Sequence, residues 1–516
     1  MLRRAGALSR DTCRQHQQSE TQTIGGVAME AGLLSILISA PLIAAILCIT
    51  IRSPRVCEAT NLIAAGIGFG CAVPLAVISR NGPFFYWSGY VILDMTGSWV
   101  LLCSAIVYLL ASIYSVGYMR MLGRDEKLWG YYALFEGFAL TIFVSTIMNN
   151  AGLYWIAIEL TTLVSTFLVG FERVAESMEA AWKYIIIVSA GISIALLGTV
   201  LFYWAGSFVL GPSYDMTWSA LRDAAPRMNQ ELVILAFLLV LVGYGTKVGL
   251  APMHTWLPDA HSEAPAPISA MLSGALLNGA MLGIVRYLEI ADTAGVGSLA
   301  RNVLAGFGVF SLLVGALFIV RQTGIKRLMA YSSVEHMGVI ALGVAFGGIL
   351  GTVGALYHML NHSLNKSLMF FGAGNAMRLY GTKRISRIHA FGERFPVSGA
   401  LWLAGAVAIT GAPPFGLFLS EFVILRAGFQ QSFAWAASAM LLLLIVIFVG
   451  FLNHFRAMYY ERTPRHEATD GGTALSAWCV TPMWLAAAPL LLLGVWWPAE
   501  IWEHLVAATR SLGGAP

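Results

Sequence analysis

Residues 243–267 read GYGTKVGLAPMHTWLPDAHSEAPAP. They follow ELVILAFLLVLV (231–242), an unbroken apolar run of membrane-spanning character. Lys247 lies in the continuation of that run, and prolines follow at 252, 258, 265 and 267. An ionised side chain at hydrocarbon depth costs about 2.5–3.5 kcal/mol on insertion scales. A helix break there frees backbone N–H and C=O groups that must find protein or cavity water. Both features side by side place this segment inside a helix bundle, away from lipid, at a point where ions are handled.

The whole chain agrees with that reading. It has 516 residues, of which 58% are hydrophobic and 11% charged. This balance excludes a soluble globular protein. The relevant ruler is the transmembrane helix, about 20 apolar residues for roughly 30 Å of hydrocarbon. A net charge of +4, spread along the chain, excludes nucleic acid as a partner. The cysteines (13, 48, 57, 71, 103 and 479) form no C-x-x-C pair, and Cys48, Cys71 and Cys103 read as small hydrophobes in apolar spans. There is no iron–sulfur, haem, zinc or dinucleotide motif. No cofactor or metal is expected on this chain, and any electron chemistry is expected in a partner.

Apolar runs place helices near 31–51, 59–79, 97–119, 130–148, 151–170, 180–204, 231–250, 264–290, 299–320, 327–347, 351–377, 396–428, 434–457 and 480–498. The expected fold is an all-α polytopic membrane protein with about fourteen transmembrane helices. The seventh and twelfth are broken, by GLAPMHTWLP and by TGAPPFG. The two breaks lie five helices apart, which points to internal repeats. The fourth to eighth helices (130–290) and the ninth to thirteenth (299–457) are read as five-helix repeats, inverted because their length is odd. Residues 29–129 supply the first three helices, and 458–516 the last helix and a tail. Residues 1–28 are polar, carry four arginines and lack the apolar core of a secretory signal. They read as a transit peptide or as an extension before a translation start at Met29, and the second reading is adopted.

Loops after odd-numbered spans carry Arg52, Arg55, Arg120, Arg124, Lys127, Arg173, Arg321, Lys326, Arg327, Arg378, Lys383, Arg384, Arg387, Arg394, Arg456, Arg462 and Arg465. Loops after even-numbered spans carry few cations, Arg80, Arg222, Arg227, Arg286, Arg301 and Arg426. The positive-inside rule then puts the odd loops in the cytoplasm and both termini on the periplasmic side of the inner cell membrane.

Ionisable residues recur inside the spans: Glu159, Lys183, Lys247, His254, Glu335, His336, His358, His362, Lys366 and Glu421. Such groups usually mark ion pathways. His358, His362 and Lys366 stand at i, i+4 and i+8, so they share one helix face over about 12 Å. Burial disfavours the charged form of a lysine and a neighbouring carboxylate restores it, so a Glu159–Lys247 pair can hold and release a proton. Against these stand plainer readings. Lys183, near a helix end, reads equally as a snorkelling cation. Two histidines four apart suit a metal, but without a third ligand they favour a proton relay. Asp259, His261 and Glu263 read as loop residues at the membrane boundary, and Arg286 and Arg301 as interfacial.

TKVGLAPMHTWLPDAHSEAPAPISAMLSG (246–274), RLMAYSSVEHMGVI (327–340), LNHSLNKSLMFFGAGN (360–375) and GAPPFGLFLSEFVIL (411–425) together resemble the antiporter-like membrane subunits of respiratory complex I, Mrp cation/proton antiporters and membrane-bound hydrogenases. SSVEHMG and PAPISAMLSGALLNGAML bring the resemblance closest to the component F type of hydrogenase-4 and formate hydrogenlyase-type complexes. The resemblance implies fourteen helices with two inverted repeats. It implies Glu159 and Lys247 as the carboxylate–lysine pair of the first half-channel, with Lys183 as modulator. It also implies His358, His362 and Lys366 as the connecting axis and Glu421 as the terminal acid. Asn278 stands where many relatives carry lysine, so the central relay is expected through water, His254 or the histidine ladder.

The function expected is proton translocation by a membrane subunit of a redox-driven complex, hydrogenase-4-like or NADH:quinone oxidoreductase-like. The subunit would make no bonds itself. Its partners would be other membrane subunits, a soluble redox module and lipids. Alternatives are an Mrp-type antiporter subunit, a proton-driven partner of inorganic-carbon uptake, a solute carrier and a purely structural subunit.

Overall fold

A computed structural model describes residues 29–123, 127–460 and 475–512. The reading of residues 1–28 falls outside them. Helices α1 (Met29–Ile51) and α2 (Pro54–Ile78) lead to an antiparallel hairpin, β1 (Phe84–Tyr86) and β2 (Val91–Leu93). Then come α3 (Met95–Leu122), α4 (Leu128–Ile147), α5 (Ala151–Val169) and α6 (Ala175–Leu210). A short α7 (Trp218–Ala224) precedes α8 (Gln230–Val248) and α9 (Trp256–Glu263). Helix α10 (Ala266–Met271) runs through a π-helical turn, Leu272–Leu276, into α11 (Leu277–Thr293). The rest are α12 (Gly297–Val320), α13 (Ile325–Phe346), α14 (Gly348–Tyr380), the one-turn α15 (Phe391–Arg394), α16 (Pro396–Ile409), α17 (Gly416–Gln430), α18 (Ala434–Tyr460), α19 (Ala477–Val495) and α20 (Ala499–Ser511).

Among the described residues, 12 helical segments are long and apolar enough to cross a membrane. Two further crossings complete the set of about fourteen that length and hydropathy predict. One is α14, whose buried histidines, asparagines, serines and lysine lower its hydropathy. The other is the broken pair α16–α17. The β-hairpin, α7 and α20 lie outside the predicted spans, because short or amphipathic elements leave no long apolar run.

Sequence-local chemistry sets the helix ends. Asn150 caps α5 by accepting from the N–H groups of Gly152 and Leu153, and Asn229 caps α8 by accepting from Leu232. Asp94 caps α3 through Gly97 (2.8 Å) and also takes both guanidinium nitrogens of Arg286, each at 3.0 Å. Arg286 is therefore buried within the bundle and clamps α11 to the start of α3, where an interfacial residue was expected. A bidentate carboxylate makes that burial tolerable.

At the first break, freed backbone groups find partners within the protein. Helix α8 ends at Gly249 with φ 81°, where Leu257 packs so closely that a side-chain carbon would collide. The Thr246 carbonyl accepts from Trp256 Nε1 (2.7 Å), and the Ala251 N–H donates to Ser311 Oγ (2.9 Å). The second break turns at Gly411, φ 66°, and any side chain there would strike the Glu421 carboxylate. Helices α6 and α8 approach closely because Gly198 and Gly243 leave no side chain between them.

The apolar 18-residue stretches of the α10–α11 span and of α13 are buried within the bundle. The outer helices expose apolar residues such as Ile43, Phe167, Ile186 and Leu442, a surface suited to hydrocarbon. The polar rows sit at the centre of this arrangement.

Candidate functional site

Lys247 lies in the last turn of α8, two residues before Gly249, and is wholly buried. Its Nζ donates to Thr162 Oγ1 (2.7 Å) on α5 and to Tyr184 OH (3.0 Å) on α6, and it lies 5.2 Å from the centroid of the Tyr184 ring. The partner expected from the sequence, Glu159, forms no direct ion pair with it among the described residues. Instead Thr162 Oγ1 stands 3.4 Å from Glu159 Oε2, and Ser189 Oγ donates to Glu159 Oε1 (2.6 Å). One hydroxyl thus separates the ammonium from the carboxylate. Ser165, which shares a 2.7 Å hydrogen bond with Tyr184, completes the cluster.

Thr162→Val keeps the shape and removes the bridge. Losing a hydrogen bond to a charged group is worth about 1.5–3 kcal/mol, so proton flux should fall about tenfold or more. Stopped-flow pH measurements on vesicles would check this, and an unchanged rate would remove Thr162 from the pathway.

A second cluster lies between α13 and α14. These antiparallel helices face each other with polar ladders. Lys366 Nζ donates to the Met329 carbonyl (3.0 Å) and to Ser332 Oγ. One turn on, the His362 ring lies 5.4 Å from the ring of His336. At the far end His336 Nδ1 meets His358 Nε2 at 3.0 Å, and His358 Nδ1 meets Ser420 Oγ on α17 at 2.9 Å. Glu335 Oε2 stands 3.4 Å from His336 Nε2, and Glu421 neighbours both His336 and His358. All of these side chains are buried. The predicted i, i+4, i+8 face of α14 is therefore lined by a matching face of α13.

Between the two clusters lie further buried polar residues. His261, expected at the boundary, is fully buried on α9. Its ring lies 6.1 Å from Trp256, which in turn lies 4.8 Å from Tyr184 of the Lys247 cluster. The π-turn brings Ser273 to Ser333 (2.8 Å) and the Gly274 carbonyl to Ser363 Oγ (2.6 Å). Asn278 donates to Ser363 Oγ at 3.0 Å. Lys326, counted as a loop cation, is buried and donates to the Ala264 carbonyl. It lies against a cavity of about 160 Å³ whose wall includes Glu172, Glu263, Arg378 and Lys383.

Two predicted site residues stand apart. Lys183 is about half exposed and pairs with Glu179 (2.5 Å) and Asp259 (3.3 Å) at the rim. Asp259 also binds Arg327 at 3.1 Å. His254 is buried in the break with its ring 6.3 Å from Tyr331, and its Nδ1 has no protein partner.

As for metals, His336, His358 and Glu421 offer ligand atoms all within 4.8 Å of one another. His362, the other member of the pair spaced four apart, is not in this group. The 3.0 Å separation of the two nitrogens is nonetheless a hydrogen-bond distance, whereas tetrahedral zinc, with ligands at about 2.0–2.1 Å, holds them slightly further apart. Imidazoles linked in this way accept a proton on one nitrogen and yield it from the other.

A family profile described as NADH:quinone oxidoreductase/Mrp antiporter, transmembrane, matches residues 149–447, more than half of the chain. The chain is 41% identical over 303 residues to the hydrogenase-4 component F homolog of Methylacidiphilum infernorum (isolate V4), covering 58% of this chain and 64% of that protein. It is 30% identical over 376 residues to hydrogenase-4 component B of Escherichia coli (strain K12), covering 69% of this chain and 54% of that one. The chain thus spans roughly half to just under two thirds of the length of these relatives. A chain of the membrane-bound sulfane sulfur reductase, an archaeal respiratory membrane complex, has the same fold. Its TM-score is 0.83 at 22% identity, over 93% of this chain and 97% of that one.

Proposed function

Because the chain belongs to the NADH:quinone oxidoreductase/Mrp antiporter family of membrane proteins, we propose that it translocates protons as one subunit of a larger membrane assembly. The observation that carries this reading is a pair of clusters of exchangeable groups, one joining half-buried Glu159 to buried Lys247 and one running from Lys366 to His358 and Glu421, with buried His261 between them. Protonated Lys247 is held by Thr162 and Tyr184, and Thr162 Oγ1 is the bridge to Glu159. His261 spans the interval to Lys366. The proton then passes from Lys366 through Ser332 to Glu335 and His336, across to His358, and leaves past Ser420 and Glu421. Orphaned buried atoms along this route, including both His261 and both His362 nitrogens and both Glu335 oxygens, are the places where water would complete the bonds.

In the same reading the lysine- and arginine-rich loops face the cytoplasm, and the described termini face the periplasmic side of the inner cell membrane. Residues 130–290 and 299–457 are taken as inverted copies, each with one broken helix. The likeness to hydrogenase-4 components supports a hydrogenase-4-like host, with a soluble redox module and any cofactors on other chains.

The shared family profile keeps cation/proton exchange as the competing activity. Inverted vesicles carrying the intact assembly, energised by its electron donor, should acidify equally well when sodium is replaced by choline. Acidification that requires sodium would transfer the assignment to a cation/proton antiporter.

A further inference from the structure

One buried carboxyl lies outside the row just described. Glu136, in the middle of α4, is wholly inaccessible. Tyr108 OH on α3 donates to its Oε2, and its Oε1 has no protein partner. Three further buried oxygens nearby share that condition: Asn61 Oδ1 on α2, Ser112 Oγ on α3 and Tyr132 OH on α4. Helix periodicity aligns them. Tyr108 and Ser112 are i and i+4 on α3, and Tyr132 and Glu136 are i and i+4 on α4. Asn61 Nδ2 ties α2 to this stripe by donating to the Ser112 carbonyl (3.3 Å). At the outer end Arg120 holds Glu58 with two bonds, 2.9 and 2.5 Å, and is 56% exposed. Glu58 and Asn61 are i and i+3 on α2, so the ion pair lies one turn from the stripe.

An unsatisfied buried oxygen costs about 1–3 kcal/mol. Four in one stripe that ends at a half-exposed ion pair are polar partners of the kind a buried water needs, two to four at a time. We propose that Glu136 is a second proton-holding site, loaded from the Glu58–Arg120 rim through a water-filled crevice between α2, α3 and α4. The proton arrives as hydronium and binds Glu136 Oε1, turning carboxylate into carboxylic acid, while Tyr108 holds Oε2 in place. The titratable and charged groups facing this region are Tyr108 and Arg120 on α3, Cys48 on α1, Cys57 and Glu58 on α2, and Tyr131 and Tyr132 on α4 itself. None belongs to the axial row, so the site stands whether or not that row conducts.

Infrared spectroscopy of the full chain in lipid nanodiscs tests this. A protonated-carboxyl band should shift when H₂O is replaced by D₂O, and Glu136→Gln should remove it. Asn61→Leu, which plugs the crevice, should keep the band but slow its exchange about tenfold. No lost band, a band that never exchanges, or an Asn61→Leu exchange rate equal to wild type overturns the proposal. Should Glu136→Gln not fold, the native thiols serve instead. A small methanethiosulfonate should modify Cys57, buried beside Glu58 on α2, faster than Cys103, buried within α3, and equal rates overturn the proposal.

Discussion

Lys247→Ala abolishes proton translocation, with a fall on the order of 10²-fold or more, while electron transfer in the assembled complex partly survives. The methyl group carries no exchangeable proton. Thr162 and Tyr184 lose the donor that orders them, and Glu159 loses the cation that its cluster is built around. Lys247→Arg sharpens the test. A guanidinium supplies charge and hydrogen bonds but does not give up its proton in a protein. If Lys247 serves as a proton carrier, arginine fails as completely as alanine. If it serves only as a buried positive charge, arginine restores the flux. Vesicle acidification measured beside donor oxidation separates these outcomes, and wild-type pumping in the alanine variant would reject the assignment.

His358→Leu has the next largest effect. The imidazole links His336 Nδ1 to Ser420 Oγ, at 3.0 and 2.9 Å. Leucine matches it in bulk and keeps α14 helical, so it fills the space and excludes water. Flux should again fall on the order of 10²-fold. His358→Ala leaves room for a bridging water, which replaces a direct hydrogen bond at small cost, and should retain several times more flux than the leucine variant. Equal loss in both variants, with a matching loss of thermal stability, would make the residue a packing element and not a relay.

Most of the architecture was legible because hydrocarbon demands long apolar runs. The predicted 351–377 became Gly348–Tyr380, and the two Gly/Pro clusters became the two breaks. The charged members of the site were legible for the same reason, since Lys247 and Lys366 stand out against apolar neighbours. The hydroxyls between them were not. Thr162, Ser332 and Ser420 matter only by position, and serine and threonine are common in membrane helices for packing alone. His261 was hidden by Asp259 and Glu263, which make its helix look like a surface loop until α9 is seen folded inward. Lys326 was hidden by the neighbouring Arg327 and the loop before it. Glu136 had no such excuse: FEGFALTIF carries a carboxyl deep in an apolar run, the same signal that singled out Glu159.

Asp259 holds two cations from opposite halves of the chain, Lys183 on α6 and Arg327 on α13. One carboxylate can serve both only while those helices stay within a fixed reach of each other. The lower half of the broken α8–α9 segment is therefore a strap across the seam, and it sets an upper limit on how far the seam can open at that surface. All three groups touch solvent, so salt slackens the strap. Any widening of the seam must first release one of its two ends.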